Sequence, residues 1–450
     1  MLANLLGVVP HVIDSFARGG GGGSSSGGGG SGSVIAAIGY IPMHWLGAQL
    51  RKHGSSNVFA SVGQQIVGWI IAIIYGIFWI ILWRGLGFVI AIGAITGIGA
   101  GLYNWFGKIK QNKYVKTALS TAASKDAAWD ETTLTEYTKS TFLRYQKDWS
   151  LLDAESMKSY LTPRYHQHAT LLLSVLQSAG RRNLVDDVNI INADIISISD
   201  SPNNNDDRVI VGFEAQAHDK LVRVSDDKTL FTDNSSFVEY WTFNRSGSTW
   251  LLDEISQQTA SAFRENGQLA AFAHRNGMFY SADMGWLFIP ERGQLFGQAK
   301  FGTSDINNHI VGLYKDKLLI QIYTYLSKTT SGESYLIAQA NVPKSYGNII
   351  VRHKKALNMF SKPHGLEEIK TEWTEFNGKY EVFASSAEQA TSFELLNPTY
   401  MEQLAALDFD VNIEVVDNVV YLYANELVTT EMRFATMLDL LHKAFDEMKL

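Results

Sequence analysis

The 450-residue chain contains no cysteine. That absence excludes disulfides, thiolate catalysis and cysteine-ligated zinc or iron–sulfur sites, and it leaves the redox compartment unread. The sequence also lacks a His-Glu-x-x-His pair, a phosphate-binding glycine loop and the lysine context of a kinase. A basic excess is missing too. With 38 Lys and Arg against 45 Asp and Glu, the formal net charge is −7, which argues against a general nucleic-acid binder, because neutralising phosphates needs a basic face. Nothing in the composition calls for a cofactor or a metal.

What is present is led by the apolar sequence between Ile66 and Phe106, broken only by Trp83, Arg84 and Gly85. Two spans, Ile66 to Trp83 and Leu86 to Phe106, are long enough to cross a bilayer core as helices and too long for buried strands. Arg51 and Lys52 precede the pair, Lys108, Lys110, Lys113 and Lys116 follow it, and only Arg84 sits between. The positive-inside rule then places both outer flanks in the cytoplasm and makes the pair a helical hairpin. Val34 to Leu50 is a weaker third span, interrupted by Pro42 and His44, with an interfacial or re-entrant helix as its alternative. Gly93, Gly97 and Gly101 lie on one face of the second span and would permit close helix packing in lipid, within the hairpin or between copies, so a homo-oligomer stays open. These readings predict an integral membrane protein with its soluble parts in the cytoplasm.

Ahead of the spans, residues 1–33 read as a short tail followed by a flexible Gly/Ser linker, Gly19 to Ser33. Gly23 to Gly27 matches the nucleophile-elbow pattern, but no strand precedes it, and low complexity explains it. Ser15-Phe16-Ala17 resembles a signal-cleavage pattern without the basic opening residues such a signal needs.

Beyond the membrane segment, 34–116, the charge changes sign. Eight Lys/Arg and one Asp give the first 116 residues a net of +7, which leaves −14 for the remainder. Helical spacing runs from Trp129 to Trp149, a second helix opens at the N-cap Asp153, and Pro163 opens a third that stops at Gly180. Strands are expected at Val188 to Ser199, Arg208 to Ala217, Phe237 to Asn244 and Trp250 to Ser256. Three helices followed by a curved antiparallel sheet make an α+β layer arrangement, a cone with a cavity at its wide end.

The run from Leu161-Thr162-Pro163, with Val188 and Ile195 in the first strand, then Glu239, Trp241, Phe243 and Arg245 alternating along one strand before Trp250-Leu251-Leu252, resembles the Tim44-like domain. This family includes the membrane-facing domain of the mitochondrial import-motor scaffold and belongs to the nuclear-transport-factor-two-like superfamily. A glycine-rich tract and membrane spans ahead of the domain resemble its bacterial members. The resemblance implies a non-enzymatic, membrane-associated domain that binds polypeptides or lipid headgroups. Its acidic excess departs from adsorption to anionic lipid, so the basic run Lys108 to Lys116 is the better candidate for membrane-surface contact.

Strand alternation alone puts Glu239, Trp241, Phe243 and Arg245 on one face. Such a face is either core or an apolar groove with a charged rim, and the four residues are the candidate binding site. His166 and His168, two apart on a helix, project to different sides and cannot share a metal. His218-Asp219 and Asp305 with His309 are pairs of the kind chance supplies. From Thr259 the sequence predicts a linking helix to Arg275 and a second α+β domain, 259–450. Its expected strands are Leu318 to Tyr325, Tyr335 to Asn341, Gly347 to Arg352 and Lys379 to Ala384. A helix follows from Pro398 to Leu407, then a hairpin around Asp417-Asn418 and a closing helix from Thr429 to Met448. The expectation is a membrane-anchored scaffold, a Tim44-like domain at 117–258 facing the cytoplasm with lipid and a polypeptide as partners. The alternatives are a component of a transport or channel complex and an enzyme using the cone's cavity.

Overall fold

The computed structural model describes residues 70, 74, 113–256, 267–290, 293, 300–327, 334–354, 363–385, 396–424 and 430–447. The expected spans, the glycine stripe Gly93, Gly97 and Gly101, and Lys108 and Lys110 lie outside these, apart from Ile70 and Ile74 of the first span. Among the described residues no helix is long and apolar enough to cross a membrane.

The described chain opens with a helix at 113–123, α1, which sinks Leu119 and Ala122 into the core that follows. Asp126 follows it and caps the 3-10 turn Ala127–Trp129, accepting a hydrogen bond from Ala128 N–H. Three more helices start on side-chain caps. Asp130 caps α2, Glu131–Ser150; Asp153 caps α3, Ala154–Met157; and Thr162, followed by Pro163 at the first helical position, caps α4, Pro163–Ser178. Gly180, in the left-handed region at φ 63°, turns the chain into the first strand.

Five antiparallel strands follow: β1 Arg181–Ser199, β2 Arg208–Arg223, β3 Thr229–Asp233, β4 Ser236–Ser246 and β5 Thr249–Ser256. They are ordered β1-β2-β4-β5, and β3 pairs with the far end of β2. Register shifts in β1 at Asp186/Asn189, Ile190/Asn192 and Ile195/Ser197 bend the sheet. Its concave face wraps α2 and α4, burying Phe142, Tyr145 and Trp149 against Phe213, Phe237 and Trp241. The expected helices and all four expected strands are therefore present. Two strands are longer than expected: β1 begins seven residues before Val188 and β2 runs six beyond Ala217. The polar residues of early β1 look like a turn in sequence. They pair because Trp149 donates its indole N–H to Asn183 at 3.0 Å and Asn183 in turn donates to the buried Asp219.

After α5, Gly267–Arg275, a second sheet forms from β6 Phe279–Gly285, β7 Ser304–Tyr314, β8 Leu318–Ser327, β9 Ser334–Asn341, β10 Asn348–His353, β11 Glu367–Ile369, β12 Tyr380–Ala384, β13 Val411–Val416 and β14 Val419–Ala424. Helix α6, Thr374–Lys379, precedes β12, α7, Pro398–Ala405, precedes β13, and α8, Glu431–Glu447, closes the described chain. The order is β11-β12-β10-β13-β14-β9-β8-β7-β6. The expected strands, hairpin and closing helix are present, and β6, β7, β11 and α6 are added to them. Helices α5, α6, α7 and α8 cover one face with Leu269, Phe376, Tyr400, Phe434 and Leu441. The other face, carrying Tyr323, Tyr325, Ile337, Tyr421 and Tyr423, shares one hydrophobic core with the helices and sheet of the first unit. Helix α4 lies between the two sheets, against β1 and β5 on one side and β7 and β8 on the other. The expected boundary at 258/259 falls in a stretch outside the described residues, and the core runs across it.

Candidate functional site

Strand alternation does place Glu239, Trp241, Phe243 and Arg245 on one face of β4, and that face is interior. Glu239, Trp241 and Phe243 have no exposure at all and Arg245 has 8%. Trp241 lies 4.8 Å from the ring of Phe142 and edge-on to Tyr145 at 5.4 Å and Phe213 at 5.5 Å, distances at which aromatic pairs attract. Its indole N–H donates to Glu239 Oε2 at 2.8 Å. Phe243 meets the edge of Tyr137 at 6.4 Å, and Tyr137 O–H donates to the carbonyl of Trp250.

The charges expected at a rim are inside as well. Arg245 Nη1 lies 2.6 Å from Asp126 and 3.1 Å from Asp207, and its Nε donates to Gly247 O at 3.0 Å. The hydrogen bond to Asp126, joined by that to Asp207, holds the guanidinium's pKa above its ordinary value against the opposing effect of burial. Asp126 is held below the carboxylate range by the N–H of Ala128 and by Arg245. This triad ties the end of α1, the loop before β2 and the end of β4 together. The groove reading of these four residues is corrected: alternation in sequence identifies a face, and here α2 and α1's capping turn cover it.

Of the basic run, Lys113 and Lys116 are described, and both are exposed on α1. His166 and His168 project to different sides: His166 Nε2 lies 2.8 Å from Ala154 O, whereas His168 is buried and stacks flat on Phe279 at 5.0 Å. His309 is also buried, its Nε2 3.0 Å from Gln321 Oε1 and its ring stacked on Phe288 at 5.3 Å. Burial drives both imidazoles below their ordinary value, His168 to about 3, with His309 and Arg164 adding to the effect, and His309 to about 4. His218 pairs with Asp187 at 3.0 Å on the surface. No group of three or more metal-ligating side chains gathers among the described residues.

A feature that sequence reasoning missed lies where α4 ends and β1 begins. Residues Trp286 to Pro290 form a strap between the two sheets, with Trp286, Leu287, Phe288 and Ile289 each no more than 6% exposed. Trp286 lies 5.0 Å from Phe231 of β3, and Arg181 Nη1 donates to the carbonyl of Ile289 at 2.7 Å. Beside the strap a cleft of about 40 Å³ remains, lined by Leu176, Arg181, Ile289, Asn341 and Tyr421 among others. That is room for water and too little for an organic ligand. The signal in sequence was five consecutive apolar residues, Trp-Leu-Phe-Ile-Pro, outside any helical or strand periodicity.

Residues 115–257 match the Tim44-like domain family, and this part of the chain is a Tim44-like domain. Residues 334–448 match a second family, described as a protein of unknown function, DUF3137. No curated protein matches the chain. Solved structures with similarity include the mycobacterial trehalose monomycolate transport factor A, at 11% identity and a TM-score of 0.29 over 40% of this chain and 92% of that one. The intermembrane space region of the chloroplast protein ARC6 matches at 18% identity and 0.23, over 28% and 97%. An Ntf2-like protein involved in plasmid conjugation matches at 8% and 0.16, over 42% and 81%.

Proposed function

We propose that this protein is a membrane-anchored, non-enzymatic scaffold that presents its Tim44-like domain on the cytoplasmic face of a bacterial-type inner membrane and binds polypeptide, with lipid contacted at the basic stem. The observation that carries this reading is the seating of α1. From Lys113, seven residues beyond the end of the apolar sequence Ile66 to Phe106, the helix buries Leu119 and Ala122 in the domain core and leaves Lys113 and Lys116 exposed. So short a stretch between the apolar sequence and a docked helix keeps the domain close to the bilayer, as a scaffold needs, rather than on a long tether. The polar groups of β4 that could otherwise serve chemistry are engaged with one another: Glu239 with Trp241 and Arg245 with Asp126 and Asp207.

The test has two parts. In intact cells a reporter fused after Leu450 is expected to be active only in the cytoplasm, and the chain is expected to stay with membranes through alkaline carbonate extraction. The detergent-solubilised chain is then expected to retain a permanently unfolded polypeptide such as carboxymethylated casein. Release by carbonate would remove the anchor, and turnover of a small substrate by the purified chain would remove the scaffold.

A further inference from the structure

The strap Trp286 to Pro290 is held differently from the rest of the core. It belongs to no strand among the described residues, and its backbone makes local turns, Leu287 N–H to Met284 O and Ile289 N–H to Trp286 O, both at 3.3 Å. It enters through Gly285, whose φ of 51° lies in the left-handed region and lets the chain turn out of β6. The Tim44-like domain grips it in three places. Phe231 stacks at a tilt against Trp286, Arg181 donates to the carbonyl of Ile289, and Val175 and Leu176 at the end of α4 line the same cleft as Leu287 and Ile289. These are the contacts by which a groove holds a peptide: apolar pockets for side chains and a charged donor on a backbone carbonyl. The fit is incomplete, because the indole N–H of Trp286 is buried with no acceptor among the described residues, a cost that a different occupant need not carry.

We propose that the groove between the end of α4, Arg181 and β3 is a docking site for an extended apolar polypeptide segment, and that Trp286 to Pro290 is its internal occupant, which an incoming segment displaces. The proposal rests on the polypeptide-binding reading above and narrows it to one site and one chemistry: a short extended run of aromatic and aliphatic side chains whose backbone carbonyl meets Arg181. It moves the recognition surface away from β4, whose aromatic face is closed.

The test uses the full chain in mild detergent and a fluorescent peptide with the sequence of residues 285–290. Leu287→Ser with Ile289→Ser weakens the strap and is expected to raise the affinity for the peptide at least tenfold over the unaltered chain. Adding Phe231→Ala to that variant is expected to return binding to the starting level. Equal binding by the strap variant and the unaltered chain overturns the proposal, provided circular dichroism shows the fold retained. Should the double variant lose cooperative unfolding, Leu287→Ala is read in its place, with an expected gain of about threefold; no gain there overturns the proposal equally. Carboxymethylated casein separates the two readings. Casein held equally by the unaltered chain and the strap variant, with no gain for the peptide, leaves the scaffold standing and removes the strap as occupant, whereas casein held by neither removes both.

Discussion

Replacing Arg245 with Met separates a charge at a binding rim from a charge in a folded core. At a rim the change would spare stability. In the structure the guanidinium is the partner of Asp207, a side chain with no exposure, which otherwise accepts the N–H of Ser201 at 2.8 Å. Removing one member of a buried pair costs about 3–5 kcal/mol, because the remaining charge stays out of water uncompensated. Asp126, about one-third exposed, can rehydrate and adds little. For a domain of this size about 2–4 °C is lost per kcal/mol, so the unfolding midpoint should fall by about 6–20 °C. Differential scanning calorimetry and tryptophan fluorescence on the purified chain read this directly. Asp207→Asn in the Arg245→Met background should recover a large part of the loss, since it removes the stranded charge and keeps a side chain of the same shape. A midpoint within about 1 °C of the unaltered chain, or no recovery by the second change, would refute the argument and return Arg245 to the surface.

Three further outcomes follow from the same packing. His168 and His309 are buried neutral, with pKa values lowered to about 3 and about 4, so below the unfolded value of about 6.5 the unfolded chain binds more protons than the folded one. Stability is therefore full above that value and falls by about 1.4 kcal/mol per pH unit for each imidazole down to about pH 4, and a urea midpoint at pH 5.5 no lower than at pH 7.5 would contradict it. Gly312 leaves no room for a side chain, since a Cβ there would lie 2.6 Å from Met278 Cγ; Gly312→Val should cost about 1–3 kcal/mol in chemical denaturation, and a neutral result would show that Met278 yields freely. A fragment of residues 259–450 alone should aggregate or bind hydrophobic dyes, because the face carrying Tyr323, Tyr325, Ile337, Tyr421 and Tyr423 would lose its cover; a monomeric, cooperatively folding fragment would show the shared core to be dispensable.

The sequence by itself determined the local elements. Caps at Asp130, Asp153 and Thr162 fixed where helices begin, Gly180 where α4 stops, and Asp417-Asn418 the turn between β13 and β14, because each acts on backbone groups within a few residues of itself. The residues from Leu161-Thr162-Pro163 through the alternation on β4 to Trp250-Leu251-Leu252 carried the resemblance to the Tim44-like domain, which the family match over 115–257 bears out. What it could not supply was the neighbour of each face. Period-two alternation aligns Glu239, Trp241, Phe243 and Arg245 whether water or α2 lies above them, and only the long-range pairs from Arg245 to Asp126 and Asp207 and the ring of Phe142 on Trp241 show that the face is closed. Strands whose alternation is broken, such as β6 at Asp283/Gly285 and β7 at Asn307/Ile310, give no periodic signal and form because neighbouring strands supply the ladder, β7 for the edge strand β6 and both β6 and β8 for β7. The strap is the extreme case. Five apolar residues without a period carry no secondary-structure preference, and their place is decided by the two sheets that close over them, a contact between positions as distant as Phe231 and Trp286 or Arg181 and Ile289 that the linear chain does not record.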